Sequence, residues 1–230
     1  MAKKQFKTES KRLLDLMINS IYTHKEIFLR EIISNASDAI DKLTYRMLSA
    51  GDSPDRSALQ ITLIPDEAAG TLTVIDNGVG MTREELESNL GTIAHSGSLQ
   101  FKKDMAAAEH LPESDADIIG QFGVGFYSAF MVSDQVTVIS RAYGSQEAWQ
   151  WQSSGADGYT LTPCQQAETG TRIIMKLKPN ADEEDYAQYL HTHTLERLVK
   201  KYSDYIHYPI RMEVEHSRPK ERPADAGEDY

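Results

Sequence analysis

THKEIFLREIISNASDAIDKLTYRML, residues 23–48, is the stretch that decides the fold of this chain. At about 100° per residue, one broad side of the predicted helix is apolar and faces a core. That side carries Phe28, Ile32, Ala36, Ala39, Leu43 and Met47. The polar residues opposite it predict a solvated far side, made of Arg30, Ser37, Asp41 and Thr44. A capping box of Thr23 and Glu26 is expected to open the helix, and residues 51–54, GDSP, are expected to close it.

The same helix carries a third row of polar residues. Glu31, Asn35 and Asp38 are spaced i, i+4 and i+7, so they form one stripe that borders the apolar side instead of lying opposite it. Carboxylate, amide and carboxylate groups in line at the edge of a core indicate a site. The spacing fits a strip of solvent-facing surface equally well, so the row alone does not decide between the two.

Length and charge limit the classes of function. The 230 residues can form one large domain or two small ones. A formal net charge of -11 argues against nucleic acid or an anionic membrane as the main partner, although backbone N–H groups could still bind an anion locally. Cys164 is the single cysteine, which excludes an intramolecular disulfide, and no Cys/His cluster has zinc-ligand spacing. We therefore expect a reduced, cytoplasmic setting.

The order of predicted elements indicates an α+β fold. Period-two alternation predicts a strand pair at 59–64 and 71–75, and Thr82 with Glu85 forms a second capping box for a short helix that ends at Gly91. Residues 91–120 are predicted to form a lid, and residues 120–125 lead into an apolar helix through Met131. Further elements are predicted as strands at 135–141, 148–152, 159–162 and 171–178, helical structure over 180–205 and a strand at 210–214. The sequence predicts a two-layer sandwich, with a mixed, mostly antiparallel sheet and helices on one face.

Two glycine-rich elements stand on either side of the predicted lid. In DNGVG, residues 76–80, the glycines permit close backbone approach, and Asp76 at a strand end can accept a hydrogen bond from an exocyclic amine. The alternative is an ordinary Asp/Asn-Gly hairpin turn. In GQFGVG, residues 120–125, glycines before a helix N-terminus resemble a phosphate-binding loop. Its GxxGxG order matches neither the dinucleotide fingerprint nor a Walker loop, so it is a weak signal alone.

Four motifs in this order resemble one known family. They are EIISNASDA (31–39), DNGVGMT (76–82), NLGTIAHSGS (89–98) and GQFGVGFYSAF (120–130). Over residues 8–215 the chain is similar to the N-terminal ATPase domain of the ninety-kilodalton heat-shock chaperones, nearest to the bacterial branch. That family shares the Bergerat nucleotide-binding fold with gyrase, a mismatch-repair protein and sensor histidine kinases. The resemblance implies an ATP-binding domain at 1–215 with its lid at 91–120, and a charged linker or disordered tail at 216–230, cut before middle and dimerisation domains.

The resemblance also assigns roles to the helix row. It implies that Glu31 orients and activates the attacking water as general base. Asn35 would bind Mg²⁺ through its amide oxygen, which suits a cation that prefers oxygen ligands. Asp38 would line the pocket, in contact with the ligand or with water.

Further roles concern the nucleotide, ATP or ADP. Asp76 would accept from the adenine amino group, Gly80 and Thr171 would complete a water-bridged network, and Asn89 would contact the ribose and phosphate side. The apolar walls are assigned to Met81, Leu90 and Phe126. The phosphates are assigned to the backbone N–H groups of Phe122, Gly123, Val124, Gly125 and Phe126.

One residue departs from the family pattern. His95 stands where the family commonly has a lysine or arginine near the terminal phosphates, and an imidazole is only partly charged at neutral pH. We expect a solvated lid residue at this position.

Three functions compete at this stage. The first is a chaperone ATPase module that acts on unfolded or partly folded client proteins, homodimeric in the full-length chain, and monomeric and slow as an isolated domain. The second is a DNA-linked ATPase of the gyrase or mismatch-repair kind, which predicts a basic surface and salt-dependent DNA binding. The third is a non-catalytic module in which the row is surface and the glycines are turns. The motif set favours the first.

Overall fold

The computed structural model of this chain describes residues 24–92, 124–155, 157–181 and 184–214. Its α-helices are α1 (Ile27–Ser49), α2 (Arg83–Gly91) and α3 (Thr192–Tyr202), and its 3-10 helices are Gly125–Met131 and Ala187–Leu190. Its strands are β1 (Ile61–Asp66), β2 (Thr71–Asp76), β3 (Ser133–Arg141), β4 (Ala148–Ser153), β5 (Tyr159–Cys164), β6 (Gly170–Leu177) and β7 (Ile210–Met212). The described elements appear in the predicted order, with boundaries shifted by a few residues.

The strands form one seven-stranded sheet in the order β5-β4-β3-β6-β2-β1-β7. Every neighbouring pair is antiparallel except β1 and β7, which run parallel. In β2 the buried positions alternate, so Leu72, Val74 and Asp76 share the inner face. The predicted α+β fold with a mixed, mostly antiparallel sheet is confirmed.

The core lies between this inner face and α1. Phe28, Ile32, Ile33 and Ile40 are fully buried, and the Phe28 ring meets Tyr189 edge to face at 5.1 Å. Burying a side chain of this size stabilises a fold by about 1.5–3 kcal/mol. The apolar side of α1 therefore fixes this helix across the sheet.

The far side of α1 is not the solvated surface that its polar residues predict. Ser37 is only 4 % exposed, and Asp41 is half-buried and accepts a hydrogen bond from the Tyr208 hydroxyl. The prediction is wrong because residues 202–208 pack on this side of the helix. Helical periodicity reports the polarity of a face and not which distant segment covers it.

The first predicted capping box is also wrong. The helix begins at Ile27, and Glu26 is an N-cap whose side chain makes no capping bond. Its carboxylate instead accepts from Lys201 Nζ at 2.9 Å and from the Tyr202 hydroxyl. Ile27 N–H donates to the carbonyl of His24 at 3.2 Å. The predicted end is confirmed, because α1 stops at Ser49 just before a glycine of positive φ.

The second capping box is confirmed. Thr82 Oγ1 accepts from Glu85 N–H at 3.2 Å, and Thr82 N–H donates to Glu85 Oε2 at 2.9 Å. The apolar helix predicted up to Met131 is a 3-10 helix. Most of the predicted lid and the whole predicted tail lie outside the described residues.

Candidate functional site

The polar row of α1 is partly enclosed by protein. Asp38 is only 1 % exposed, and Glu31 and Asn35 are half-buried. Glu31 Oε1 accepts from Arg30 Nε at 3.1 Å and also from Arg30 Nη2, so Arg30 orients this carboxylate. The alternative of a plain solvent-facing strip is therefore wrong for Asp38.

The two glycine-rich elements contact α1 on either side of Asn35. A Cβ at Gly125 would overlap Glu31 Oε2, one turn before Asn35. A Cβ at Gly78 would lie 2.5 Å from the carbonyl carbon of Ala39, one turn after Asn35. Because these helix residues are spaced i, i+4 and i+8, the Asn35 amide lies between the two loops. The structure thus brings to α1 two loops whose contacting glycines, Gly78 and Gly125, follow Asn35 by 43 and 90 residues in the chain.

The DNGVG segment is a loop between a strand and a helix, and the hairpin alternative is wrong. It follows β2 and leads into α2, and its Val79 N–H donates to the carbonyl of Ala39 at 2.9 Å. Gly80 has a φ of 63°, and a Cβ there would overlap the carbonyl of Arg141. The loop therefore needs glycine both for its backbone conformation and for its close approach to β3.

Asp76 lies at the buried end of β2. Its Oδ1 accepts from Gly78 N–H at 2.9 Å, and in the strand register it pairs with Thr171 of β6. Burial raises the pKa of Asp76 to about 7, while the backbone N–H groups of Gly78 and Thr171 act in the opposite direction. A buried carboxyl that titrates in the neutral range, at a strand end beside a helix, is typical of a functional site.

Ser140 is a residue of the candidate site that the sequence did not reveal. It is fully buried on β3, where it pairs in register with Thr171, and the two side-chain oxygens are 2.9 Å apart. Its Oγ also accepts from Met81 N–H at 2.8 Å and lies 3.1 Å from the Gly170 carbonyl. A lone serine in a strand has no sequence signal, since only the strand register places it beside Thr171.

Asn77 is a second residue of this kind. Its Oδ1 accepts from Gln60 N–H at 2.9 Å and its Nδ2 donates to the Ala58 carbonyl at 2.6 Å. These two bonds tie the loop after Asp76 to the segment that enters β1. Asn77 was visible within the motif, but local sequence gives no indication of partners 17 and 19 residues away.

Buried apolar side chains lie on α2 and on the 3-10 helix of residues 125–131. Leu90 and Phe126 are each 7 % exposed, and the Tyr127 hydroxyl donates to the Leu90 carbonyl at 3.0 Å. The Phe126 ring meets Trp151 edge to face at 5.5 Å, so Trp151 is a packing residue. Three further predicted residues are described. Met81 is half-buried before α2, Asn89 is half-buried on α2, and Val124 precedes the 3-10 helix. Phe122, Gly123 and His95 lie outside the described residues.

Acidic and imidazole groups do not form a metal cage in the described part of the chain. Within it, no three His, Cys, Asp or Glu residues are grouped so that they could hold an ion. Mg²⁺ often binds through one or two protein oxygens together with phosphates and water, and such binding needs no cluster of this kind. Among the described helices, none is both long and apolar enough to cross a membrane.

Comparison with known proteins agrees with this geometry. The family model described as "Histidine kinase-, DNA gyrase B-, and HSP90-like ATPase" matches residues 22–173. The chaperone protein HtpG of Clostridium botulinum (strain Langeland) is 56 % identical over 231 residues, which cover 100 % of this chain and 36 % of that protein. The chaperone protein HtpG of Bacillus subtilis (strain 168) is 56 % identical over 222 residues, 96 % of this chain and 35 % of that protein.

The match to the family model covers more than half of the chain, and it includes the polar row of α1, Asp76 and Thr171. The chain spans about a third of the length of the curated relatives it matches. The resemblance inferred from four sequence motifs is confirmed: the chain belongs to the histidine kinase-, DNA gyrase B- and HSP90-like ATPase family.

Proposed function

We propose that this chain binds and hydrolyses ATP as the nucleotide domain of a bacterial chaperone, in the cytoplasm. The observation that carries the proposal is the buried Asp76, which lies beside Thr171 on the sheet while α1 presents Glu31 and Asn35 nearby. This arrangement provides one polar position for a base and a second, separate position for phosphate chemistry. Membership of the family and the HtpG relatives support it.

The adenine base of the nucleotide is assigned to the part of the sheet around Asp76. A carboxylate only accepts hydrogen bonds, so Asp76 suits the exocyclic amine of adenine and disfavours the carbonyl of guanine at the same place. Thr171 and Ser140, joined at 2.9 Å, and the Gly80–Met81 backbone would surround the same edge of the base. Leu90 and Phe126 would supply the apolar walls, and Asn89 would face the ribose and phosphate side.

The phosphates are assigned to α1 and the second glycine loop. Glu31, held by Arg30, would orient the attacking water and take its proton. Asn35 fits Mg²⁺ because it offers a half-buried amide oxygen between the two glycine contacts. When bound, the cation would offset phosphate charge. Asp38 would line the pocket, and backbone N–H groups of residues 122–126 would hold the phosphates.

The wider activity is proposed from the chaperone names of the relatives. In the longer protein, nucleotide binding would close the lid of residues 91–120 and promote contact between two copies. The dimer would then act on partly folded client proteins. Residues 216–230 would be the linker to the next part. The present chain alone would be a monomer that binds nucleotide and hydrolyses it slowly, because the relatives are about three times as long.

Calorimetric titration of the chain with ADP and MgCl₂ tests this function. Binding is expected, and Asp76→Asn should abolish it, because an amide replaces one acceptor by a donor facing the adenine amine. Asp204→Asn, at an exposed position just after α3, is the matched control and should bind normally. Absence of binding by the unchanged chain would establish the non-catalytic alternative.

A second variant separates binding from hydrolysis. Glu31→Ala should still bind ADP, because the base site on the sheet is intact, but it should lose hydrolysis in single-turnover assays with excess protein. If Glu31→Ala hydrolysed ATP at the unchanged rate, the role assigned to Glu31 would be wrong. Fast turnover by this chain alone would contradict the idea that further parts of the longer protein complete the site.

A further inference from the structure

We propose that three tyrosines, one at the last position of α3 and two after it, position the row of Glu31, Asn35 and Asp38 for hydrolysis. They are Tyr202, Tyr205 and Tyr208, and we call residues 202–208 the tyrosine strap. The inference rests on the proposed function and adds residues that the sequence motifs do not contain. These tyrosines touch α1 and are positioning residues, since none of them lies in the base site on the sheet.

Each tyrosine hydroxyl bonds to a different level of α1. Tyr202 donates to Glu26, which also accepts from Lys201 Nζ at 2.9 Å. Tyr205 and Ser34 share a hydrogen bond of 2.7 Å, directly next to Asn35. Tyr208 donates to Asp41. The three contacts therefore extend from the N-cap residue Glu26 to Asp41, a rise of about 22 Å at 1.5 Å per residue.

The strap and the core hold α1 from different directions. Ser34 and Asp41 lie roughly 100–120° from Asn35 around the helix axis, in the same sense. Ile32 and Ala36, which are buried in the core, lie roughly 60–100° from Asn35 in the opposite sense. The functional row is thus bordered by the core on one side and by the strap on the other. A rotation or slide of the helix would break contacts on at least one of these sides.

The electrostatics of these contacts favour hydrogen bonds that persist across the physiological pH range. Burial and the neighbouring Asp41 carboxylate raise the pKa of Tyr208, so its hydroxyl remains a donor. Hydrogen bonds from Tyr202 and Lys201 lower the pKa of Glu26, so its carboxylate remains charged. Hydrogen bonds to charged groups are stronger than those between neutral groups, and a displacement of about 1 Å at a reacting group can reduce a rate about 100-fold.

The strap is itself anchored at both ends. Ser203 N–H donates to the Val199 carbonyl at the end of α3, at 2.8 Å. Ile61 N–H of β1 donates to the Pro209 carbonyl at 2.9 Å, just before β7 pairs with β1. A hydroxyl of the strap can therefore oppose movement of α1. Asp76 and Thr171 are held by the sheet and receive no strap contact, so a loosened strap should affect hydrolysis more than base binding.

Tyrosine-to-phenylalanine variants test this inference, because they remove only the hydroxyl. In Tyr205→Phe and Tyr208→Phe, single-turnover ATP hydrolysis should fall about tenfold, while the ADP dissociation constant should change less than about twofold. Amide exchange of residues 31–38, measured without nucleotide, should accelerate about fivefold or more, as expected for the loss of one bond of about 1 kcal/mol. Asp41→Ala should reproduce Tyr208→Phe, and Asp41→Asn, which keeps an acceptor, should restore the rate.

Tyr143→Phe is the matched control, because this tyrosine is 38 % exposed and lies outside both α1 and the strap. It should leave exchange, affinity and rate unchanged. The positioning role would be overturned if the variants Tyr205→Phe, Tyr208→Phe and Asp41→Ala bound ADP and hydrolysed ATP at the unchanged rate. The proposed function would then still stand. If affinity and rate fell equally and Asp41→Asn did not restore them, the strap would have only a structural role. This result would also overturn the positioning role. No ADP binding by the unchanged chain would contradict the proposed function and, with it, the strap's catalytic role.

Discussion

Asp76 combines two requirements that oppose each other. Its burial disfavours the charged carboxylate, and its proposed role needs that carboxylate as an acceptor for adenine. The Gly78 and Thr171 N–H groups offset only part of the desolvation, so the pKa stays raised at about 7. The residue is therefore best suited to a ligand that brings its own donor, since the amine would replace the missing solvation.

The first prediction concerns the pH dependence of stability. The ordinary pKa of this carboxyl is 3.8 and its folded value is about 7, so the folded state binds an extra proton between these pH values. Its contribution to the free energy of unfolding is fully present below the lower value and is lost as the pH rises through the upper one. Asp76→Asn should therefore gain stability relative to the unchanged domain between about pH 4 and 8, by up to about 4 kcal/mol.

Urea denaturation without nucleotide at both pH values measures this difference. Asp204→Asn serves again as the exposed control and should show no such trend. A stability difference for Asp76→Asn that did not change with pH would mean that the carboxyl of Asp76 has the same pKa in the folded and unfolded states.

The second prediction concerns Ser140. Ser140→Ala removes the acceptor of the half-buried Met81 N–H and the partner of Thr171, so it should destabilise the domain by about 1–3 kcal/mol and weaken ADP binding about five- to tenfold. Ser140→Thr keeps the hydroxyl and should retain most of the affinity. Calorimetry and urea denaturation measure both effects. Normal ADP affinity in Ser140→Ala would remove this residue from the site.

At the scale of elements, two glycines decide how the loops meet α1. Gly78 faces backbone atoms of Ala39 and Ile40, which cannot move without distorting the helix. Gly125 faces the end of the flexible Glu31 side chain. The same substitution should therefore have different results at the two positions.

The third prediction compares alanine substitutions at Gly78 and Gly125. Gly78→Ala should destabilise the domain by about 1–3 kcal/mol, because the new Cβ overpacks against backbone. Gly125→Ala should leave the melting temperature nearly unchanged but displace the Glu31 carboxylate, so hydrolysis should be lost while ADP binding persists. Thermal melts, calorimetry and single-turnover assays distinguish these outcomes. A Gly125→Ala variant with full hydrolysis would show that Glu31 needs no fixed position.

The elements also show what sequence could predict and what it could not. The capping box of Thr82 and Glu85 was predicted because all of its atoms belong to four consecutive residues. The box expected at residues 23–26 was wrong because Glu26 bonds to partners about 175 residues away. The solvated far side of α1 was wrong for the same reason. Ser140 remained unseen because its role depends on strand register, whereas Asp76, Gly78 and Gly80 lie in one contiguous motif.

At the scale of the whole molecule, net charge separates the chaperone function from the DNA-linked alternative. The family includes proteins of both kinds, and the fold alone does not distinguish them. A formal charge of -11 repels a phosphate backbone, and the HtpG relatives agree with the chaperone function.

The fourth prediction follows from this charge. Fluorescence anisotropy with duplex DNA should show no binding at physiological ionic strength and no steep dependence on salt. ADP binding measured on the same sample serves as the control for folded protein. Tight DNA binding that weakens steeply with added salt would favour the DNA-linked ATPase instead.

The tyrosine contacts have a consequence for co-translational folding of the domain. Helix α1 is among the first described segments to be made, but Tyr208, which bonds its Asp41, follows 167 residues later. At about 5–20 residues per second, translation needs about 10–30 s to supply that partner. During this interval one side of the helix lacks its cover and β1 lacks its neighbour β7. A nascent chain halted before residue 202 should therefore be cut readily by proteases within α1, and one extended past residue 212 should resist them.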